Sequence, residues 1–277
     1  MSGTASVETW SGKSRGDENF PVGSALIAAR QRPHVHAFYA FARNADDIAD
    51  SDVLAPEDKL ARLDVMEAVL LGRRDEGSPS AAGLRASLAV CGVTPHHAQD
   101  LLVAFRRDAT KTRYADWHEL QDYCRYSAMP VGRHVLDLHG EGHDTWEPSD
   151  ALCTSLQVLN HLQDCAKDFL QLDRCYLPED EMQAQGAGIY DLHKHAMTPG
   201  LRTVLDGLLD RCDALNDTAA HLPRRVRDRR LRLETAAIVG LARRLAGRLR
   251  RGDPLAQRIK LRKSDAVFSV LTAVRFL

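Results

Sequence analysis

The stretch from Pro148 to Leu170 constrains this chain more than any other. Read as a helix, it places Leu152, Leu156, Asn160, Asp164 and Asp168 four residues apart on one face. That face changes along its axis from apolar to oxygen-bearing, which suits a cavity with a dry interior and a charged mouth. Carboxylates one helical turn apart repel by roughly 0.2–0.5 kcal/mol unless a cation lies between them. Carboxylate and amide oxygens suit Mg²⁺, which takes few protein ligands and completes its shell with water and substrate phosphates. A solvated acidic face is the plainer alternative, and one helix alone does not choose between the two.

The rest of the chain carries the same period. From Pro33 to Asp50, Val35, Phe38, Phe41, Ala45 and Ile48 recur every three or four residues, the mark of an amphipathic helix. Helical stretches are further predicted over Pro56–Leu71, Ala81–Cys91, Pro95–Arg107, Trp117–His139, Pro199–Leu222, Leu231–Arg250 and Lys263–Leu277. Period-two runs joined by Asn-Gly or Asp-Gly turns are missing. The fold class expected is all-α: a single bundle with a central active-site cavity between facing helices. Residues 1–17 read as a mobile N-terminal segment and 18–277 as one domain. Asp173 to Pro178 follows the opening helix, and Pro178 forces it into a loop held at the acidic end.

Composition narrows the class. An apolar share of 44% and a charged share of 27% are those of a globular protein. The six cysteines show no CxxC pairing and read as reduced residues of a cytoplasmic protein. No apolar run approaches about 20 residues, and the N-terminus is polar and lacks the apolar stretch expected of a signal peptide. The net charge of −1 conceals an asymmetry: Arg224 to Leu277 holds 16 Lys and Arg against 4 Asp and Glu, a balance of +12, leaving −13 for residues 1–223. With only Phe268 and Phe276 as aromatics there, nucleic acid is a poor partner. A solvated helical face is the plain reading. Peripheral membrane contact through the basic, amphipathic Arg251–Leu277 region, with Val267, Phe268, Leu271 and Val274 on one side, is the functional one.

A second acidic pair strengthens the metal reading. Asp46 and Asp50 are again four residues apart, with Asp47 beside them and Arg43 one turn before. Two such helices facing one another can hold several Mg²⁺ ions bridged by a diphosphate, whose departure the metal assists. Arg174 accompanies the Asp164/Asp168 pair as Arg43 accompanies Asp46/Asp50. A third constellation is Tyr123 to Arg133, where Pro130 and Gly132 force a kink or a close approach. There Ser127, Val131, Val135 and Leu138 are expected to form an apolar wall, with Arg125 and Arg133 as anion contacts. Asp108 reads equally as a cation-side carboxylate and as a helix-end charge. The pairs His34/His36, His96/His97 and His193/His195 lack a third ligand at a fixed spacing. Neither GxGxxG nor GxxxxGK[ST] occurs, so nothing points to a dinucleotide or to ATP.

Taken together, three motifs resemble the squalene/phytoene synthase family: DDIAD (Asp46–Asp50), YCRYSAMPVGR (Tyr123–Arg133), and NHLQDCAKD followed by DRCYLP (Asn160–Pro178). ENFPV (Glu18–Val22) and the SAxPVGR form of the second motif resemble its hydroxysqualene synthase branch, of bacterial hopanoid and squalene pathways. That branch converts presqualene diphosphate and water to hydroxysqualene and diphosphate, without NADPH. The resemblance implies Mg²⁺ on Asp46, Asp50, Asn160, Asp164 and Asp168. It implies substrate or diphosphate contacts at Arg43, Arg125, Val131 and Arg174, and catalytic positions at Tyr39, Ser127 and Tyr176. The alternatives are a head-to-head synthase acting on two prenyl diphosphates and a non-catalytic assembly protein of the same fold. Two positions depart from the pattern: Asp173 stands where the family usually has Gly, and Met129 where this branch is expected to carry Asn.

Overall fold

The computed structural model describes residues 6–8 and 26–273, with side chains omitted at 263, 266, 267, 270 and 272. The expectations for ENFPV at 18–22, for the rest of the 1–17 segment, and for Val267 and Val274 lie outside what is described. Among the described residues there are twelve α-helices, two short 3-10 turns and no strand, so the all-α expectation holds. The chain gathers into two compact units: Met1–Lys111 with Arg133–Glu141, and Thr112–Gly132 with Gly142–Leu277.

In the first unit, α1 (Arg32–Ala49), α2 (Pro56–Leu70), α3 (Pro79–Cys91) and α4 (His96–Asp108) pack on one another. The apolar period of α1 is what places it. Phe38, Phe41, Ala45 and Ile48 are buried against Leu63 and Met66 of α2, Leu84 of α3 and Leu101 of α4. Burying side chains of this size contributes roughly 1.5–3 kcal/mol each. Local chemistry sets the ends. Pro33 and Pro56 open their helices, Ser78 caps α3 by accepting from the Ala81 amide, and Gly92 ends it at φ +71°. Residues 6–8 lie against this unit, where the Glu8 carboxylate accepts from the Ser78 hydroxyl and from the amide and hydroxyl of Ser80, at 2.6–2.7 Å.

In the second unit the 27-residue α7 (Trp146–Leu172) packs against α9 (Pro199–Ala219), α11 (Arg229–Arg251) and α5 (Trp117–Ser127). The stretch expected to run as one helix from Trp117 to His139 is two, α5 and α6 (Met129–Leu138), separated at Ala128. Pro130 therefore sits in the first turn of a new helix, where its missing N–H is harmless, rather than at a mid-helix kink. Ser127 and Val131 consequently belong to different helices, and Val131 is 42% exposed, so the expected wall is not one continuous face. The close approach is real. A Cβ on Gly132 would lie 2.5 Å from Ser149 Oγ and 2.6 Å from Cys153 Sγ, so glycine lets α6 touch α7. The short α8 (Glu179–Ala184) and α10 (Leu222–Arg225) complete this unit with α12 (Lys263–Ala273), which packs on α11.

Several cations of the basic last 54 residues are matched within the same unit. Asp206, Asp210, Asp213 and Asp217 form a stripe on α9; Arg250 pairs with Asp210 and Asp213, and Arg243 with Asp217, at 2.7–2.8 Å. Arg248 pairs with the buried Asp265 of α12 at 2.8 Å. Part of the charge asymmetry is thus an inter-helix ion ladder. None of the six cysteines is in a disulfide, and burial pushes the thiols of Cys165 and Cys212 up to about 12 and that of Cys175 to about 11, as inert core residues require.

Candidate active site

In the first unit, α1 carries Asp46 and Asp50 one turn apart, with Arg43 a turn earlier. The Arg43 guanidinium is committed to its own helix: Nε donates to Asp47 at 2.9 Å and Nη2 pairs with Asp46. Burial opposes its charge, but Asp46, the Asp47 hydrogen bond and Asp50 outweigh that and raise its pKa. Asp47 is buried, so Arg43 neutralises the inward carboxylate while Asp46 and Asp50 stay partly open to solvent. Tyr39 is half-buried on the same helix.

In the second unit, α7 carries Asn160, Asp164 and Asp168 at successive turns, each half-buried. The Asp164 carboxyl is held above the usual carboxylate range, first by burial and then by Asp168; Lys167, Arg258 and His161 partly offset this. A half-buried carboxyl that is further opposed by a neighbouring carboxylate gains from a cation. Beside Asp164 is an open groove of about 390 Å³ formed with the loop after α11, whose basic members are Lys167 and Arg258. Nothing in the motifs around Asp164 singles out Arg258, because its contact depends on how that loop returns to α7. Among the described residues no three His, Cys, Asp or Glu side chains converge as a metal cage. The oxygen donors instead form helical stripes, which fits an ion whose shell water and phosphate would complete.

The loop after α7 is fixed by its neighbours. Asp173 ends the helix in the left-handed region at φ +51°, ψ +32°, a conformation glycine takes freely and Asp tolerates better than most. Its carboxylate accepts from Arg113 Nη2 at 2.6 Å, and its carbonyl accepts from Nη1. The departure from Gly at this position therefore keeps a left-handed turn, and its extra charge is paired. Cys175, Glu179 and Asp180 donate backbone bonds to the carbonyls of Thr112, Tyr114 and Ala115 at 2.9–3.0 Å, lacing the loop to that segment. Arg174 is carried into a buried position near His161, and its amide donates to the Asp168 carbonyl at 3.2 Å.

Tyr176 is buried in an aromatic cluster that the motifs did not announce. It stacks on the His161 ring at 3.5 Å between centroids and on Tyr114 at 5.4 Å, with Tyr123 at 5.7 Å. Rings of this kind form an apolar wall with electron-rich faces, able to lie against a cation. Ser127, at the end of α5, has its hydroxyl oxygen buried without a hydrogen-bond partner. Arg125 is exposed and lies over the Tyr126 ring at 5.8 Å. Asp108 is buried at the end of α4, whereas His97 is held by Asp137 at 2.8 Å as a structural pair.

The fold is all-helical, carboxylates one turn apart recur on α1 and on α7, and the loop after α7 sets Arg174 next to a buried aromatic cluster. A sequence model of the squalene/phytoene synthase family matches residues 13–265, and the chain belongs to that family. It is 48% identical over 271 residues to the hydroxysqualene synthase of Rhodopseudomonas palustris, covering 98% of this chain and 92% of that protein. The hydroxysqualene synthase of Sinorhizobium fredii is 48% identical over 245 residues, covering 88% and 84%. Among solved structures, squalene synthase HpnC from Alicyclobacillus acidocaldarius superimposes with a TM-score of 0.75 at 34% identity, over 86% of this chain and 90% of that one.

Proposed function

We propose that the chain is a Mg²⁺-dependent hydroxysqualene synthase, converting presqualene diphosphate and water to hydroxysqualene and diphosphate in the cytoplasm. The observation that carries this reading is the near full-length likeness to proteins of that name, with every acidic position of both motifs present. Asp46, Asp50, Asn160, Asp164 and Asp168 would hold the Mg²⁺, whose chemistry is to neutralise the leaving diphosphate. Arg174 and Arg258 add positive charge beside Asp164 and Asp168, with Arg43, Arg125 and Val131 as further substrate contacts. The carbon–oxygen bond breaks and the diphosphate leaves with the electron pair. The resulting cyclopropylcarbinyl cation rearranges, water adds through oxygen, and one proton is lost. Tyr39, Ser127 and Tyr176 would lie along the reacting chain and keep other water away from the cation until capture. No reductant enters this balance, in keeping with a route without NADPH. The substrate partitions into lipid, and docking at a membrane surface through the basic Arg251–Leu277 region, where Phe268 and Leu271 are exposed, is part of the same proposal.

The test is product analysis with Mg²⁺ and no NADPH. Presqualene diphosphate should yield an alcohol while farnesyl diphosphate is left untouched; consumption of farnesyl diphosphate alone would favour the head-to-head synthase. Asp46→Ala and Asp164→Ala should each lower turnover at least about 100-fold with unchanged helical circular dichroism. Survival of activity in both would contradict the metal assignment.

A further inference from the structure

His161 lies inside the NHLQD motif, yet no role follows for it from the carboxylate spacing. In the fold it is buried on α7, on the side shared with Asp164 and Asp168, three and seven residues on. Both ring nitrogens and one ring face have identifiable neighbours. The Gln157 side-chain amide lies 3.1 Å from Nε2, and an NH₂ group can only donate, so Nε2 accepts and the ring hydrogen sits on Nδ1. Nδ1 lies 4.0 Å from Asp168 Oδ2, outside direct hydrogen-bond range but close enough for its N–H dipole to act on the carboxylate. One ring face carries Tyr176, stacked at 3.5 Å with an interplanar angle of 13°. Tyr176 belongs to the loop that also carries Arg174.

We propose that His161 is a positioning residue that orients the Asp168 carboxylate through Nδ1–H and pins the Arg174–Tyr176 loop to α7 through its ring. It does not touch substrate. It acts on a carboxylate ligand and on an aromatic wall at once, and so sets the distance between the ionic end of the site and its apolar lining. Partners of a metal ligand at this remove change metal affinity by about 10–100-fold when lost. The inference rests on the metal reading of Asp168 given above.

Two substitutions separate the two jobs. His161→Phe keeps a ring against Tyr176 and removes the Nδ1 donor. His161→Asn places an amide where Nδ1 was and removes the ring. Mn²⁺ binding to the full-length chain, with inorganic diphosphate present, can be followed by the loss of the free-ion paramagnetic resonance signal. His161→Phe should weaken Mn²⁺ binding about 10-fold with unchanged melting, whereas His161→Asn should stay within about 2-fold of wild type. In turn, His161→Asn should lose near-ultraviolet tyrosine dichroism that His161→Phe retains. If His161→Phe does not fold, His161→Gln, whose amide reaches the Nε2 position instead, should show the same loss of Mn²⁺ affinity. Wild-type affinity in the variant lacking the Nδ1 donor, or equal losses in Phe and Asn variants, overturns the proposal while leaving the metal reading intact. Failure of wild type itself to bind Mn²⁺ more tightly than Asp164→Ala overturns both.

Discussion

At Asp173 a single side chain shows how sequence and structure divide the information. The residue departs from the glycine that the family resemblance leads one to expect, and nothing in the sequence says how a charged residue could occupy a turn beside the groups proposed to bind diphosphate. The structure supplies both answers, a left-handed backbone and a pairing with Arg113. That pairing spans 60 positions, so it is invisible to any local reading. Asp173→Gly should relieve the left-handed cost, about 1 kcal/mol, and forgo a largely exposed ion pair worth about 0–1 kcal/mol, leaving stability nearly unchanged. Asp173→Val should lose about 1–3 kcal/mol, because a β-branched residue is poorly accommodated there. Urea denaturation of the three proteins checks this, and a Val variant as stable as wild type would contradict the turn. His134 offers the pH counterpart. It is buried, stacked on Phe38 at 3.9 Å, and both ring nitrogens lack a hydrogen-bond partner. Burial, then His97 and His34, lower its pKa from 6.5 to about 3. Above pH 6.5 the ring is neutral folded or unfolded and contributes nothing to the pH dependence. Below 6.5 the unfolded chain takes up a proton that the folded state refuses, so stability falls by up to about 1.4 kcal/mol per pH unit toward pH 3. His134→Phe should flatten the decline in urea midpoint between pH 6 and pH 4; identical slopes would contradict the burial argument.

Among the elements, α1 and α7 were legible because each repeats an apolar position every three or four residues and ends in a clear signal. The observed Arg32–Ala49 and Trp146–Leu172 lie within two residues of the Pro33–Asp50 and Pro148–Leu170 predicted. The stretch from Trp117 to His139 was less legible. Its apolar period runs through Ala128, and only the backbone reveals that the chain leaves the helix there, at φ −121° and ψ −48°. Pro130 and Gly132 were recognised as the disturbance, but a proline is compatible with a kink and with a new helix start, and spacing does not choose between them. The aromatic cluster around Tyr176 was missed for a similar reason. Tyr114, Tyr123 and His161 come from three separate segments, and no period connects them. The α6–α7 contact gives this scale its prediction. Gly132→Ala forces Ser149 and Cys153 to give way and should lose about 1–3 kcal/mol, measured by denaturant unfolding. A neutral alanine would show that the two helices have room to separate.

For the molecule as a whole, net charge was the least informative quantity. The +12 of the last 54 positions suggested a surface seeking anions, yet Arg243, Arg248 and Arg250 are bound to carboxylates of α9 and α12. A sum of charges carries no record of which ones pair. No described helix is long and apolar enough to cross a membrane. The functional reading rests instead on the near full-length likeness to hydroxysqualene synthases, and the two oxygen-bearing helical stripes that agree with it were legible because side-chain spacing is a local property of a helix. The central claim is that the product forms by carbon–oxygen ionisation and capture of water, and an isotope measures it directly. With presqualene diphosphate, Mg²⁺ and ¹⁸O-labelled water, mass spectrometry should find the label in the hydroxyl group of hydroxysqualene and none in the released diphosphate. Label in the phosphate, with an unlabelled alcohol, would mean that the phosphorus–oxygen bond breaks and would contradict the account.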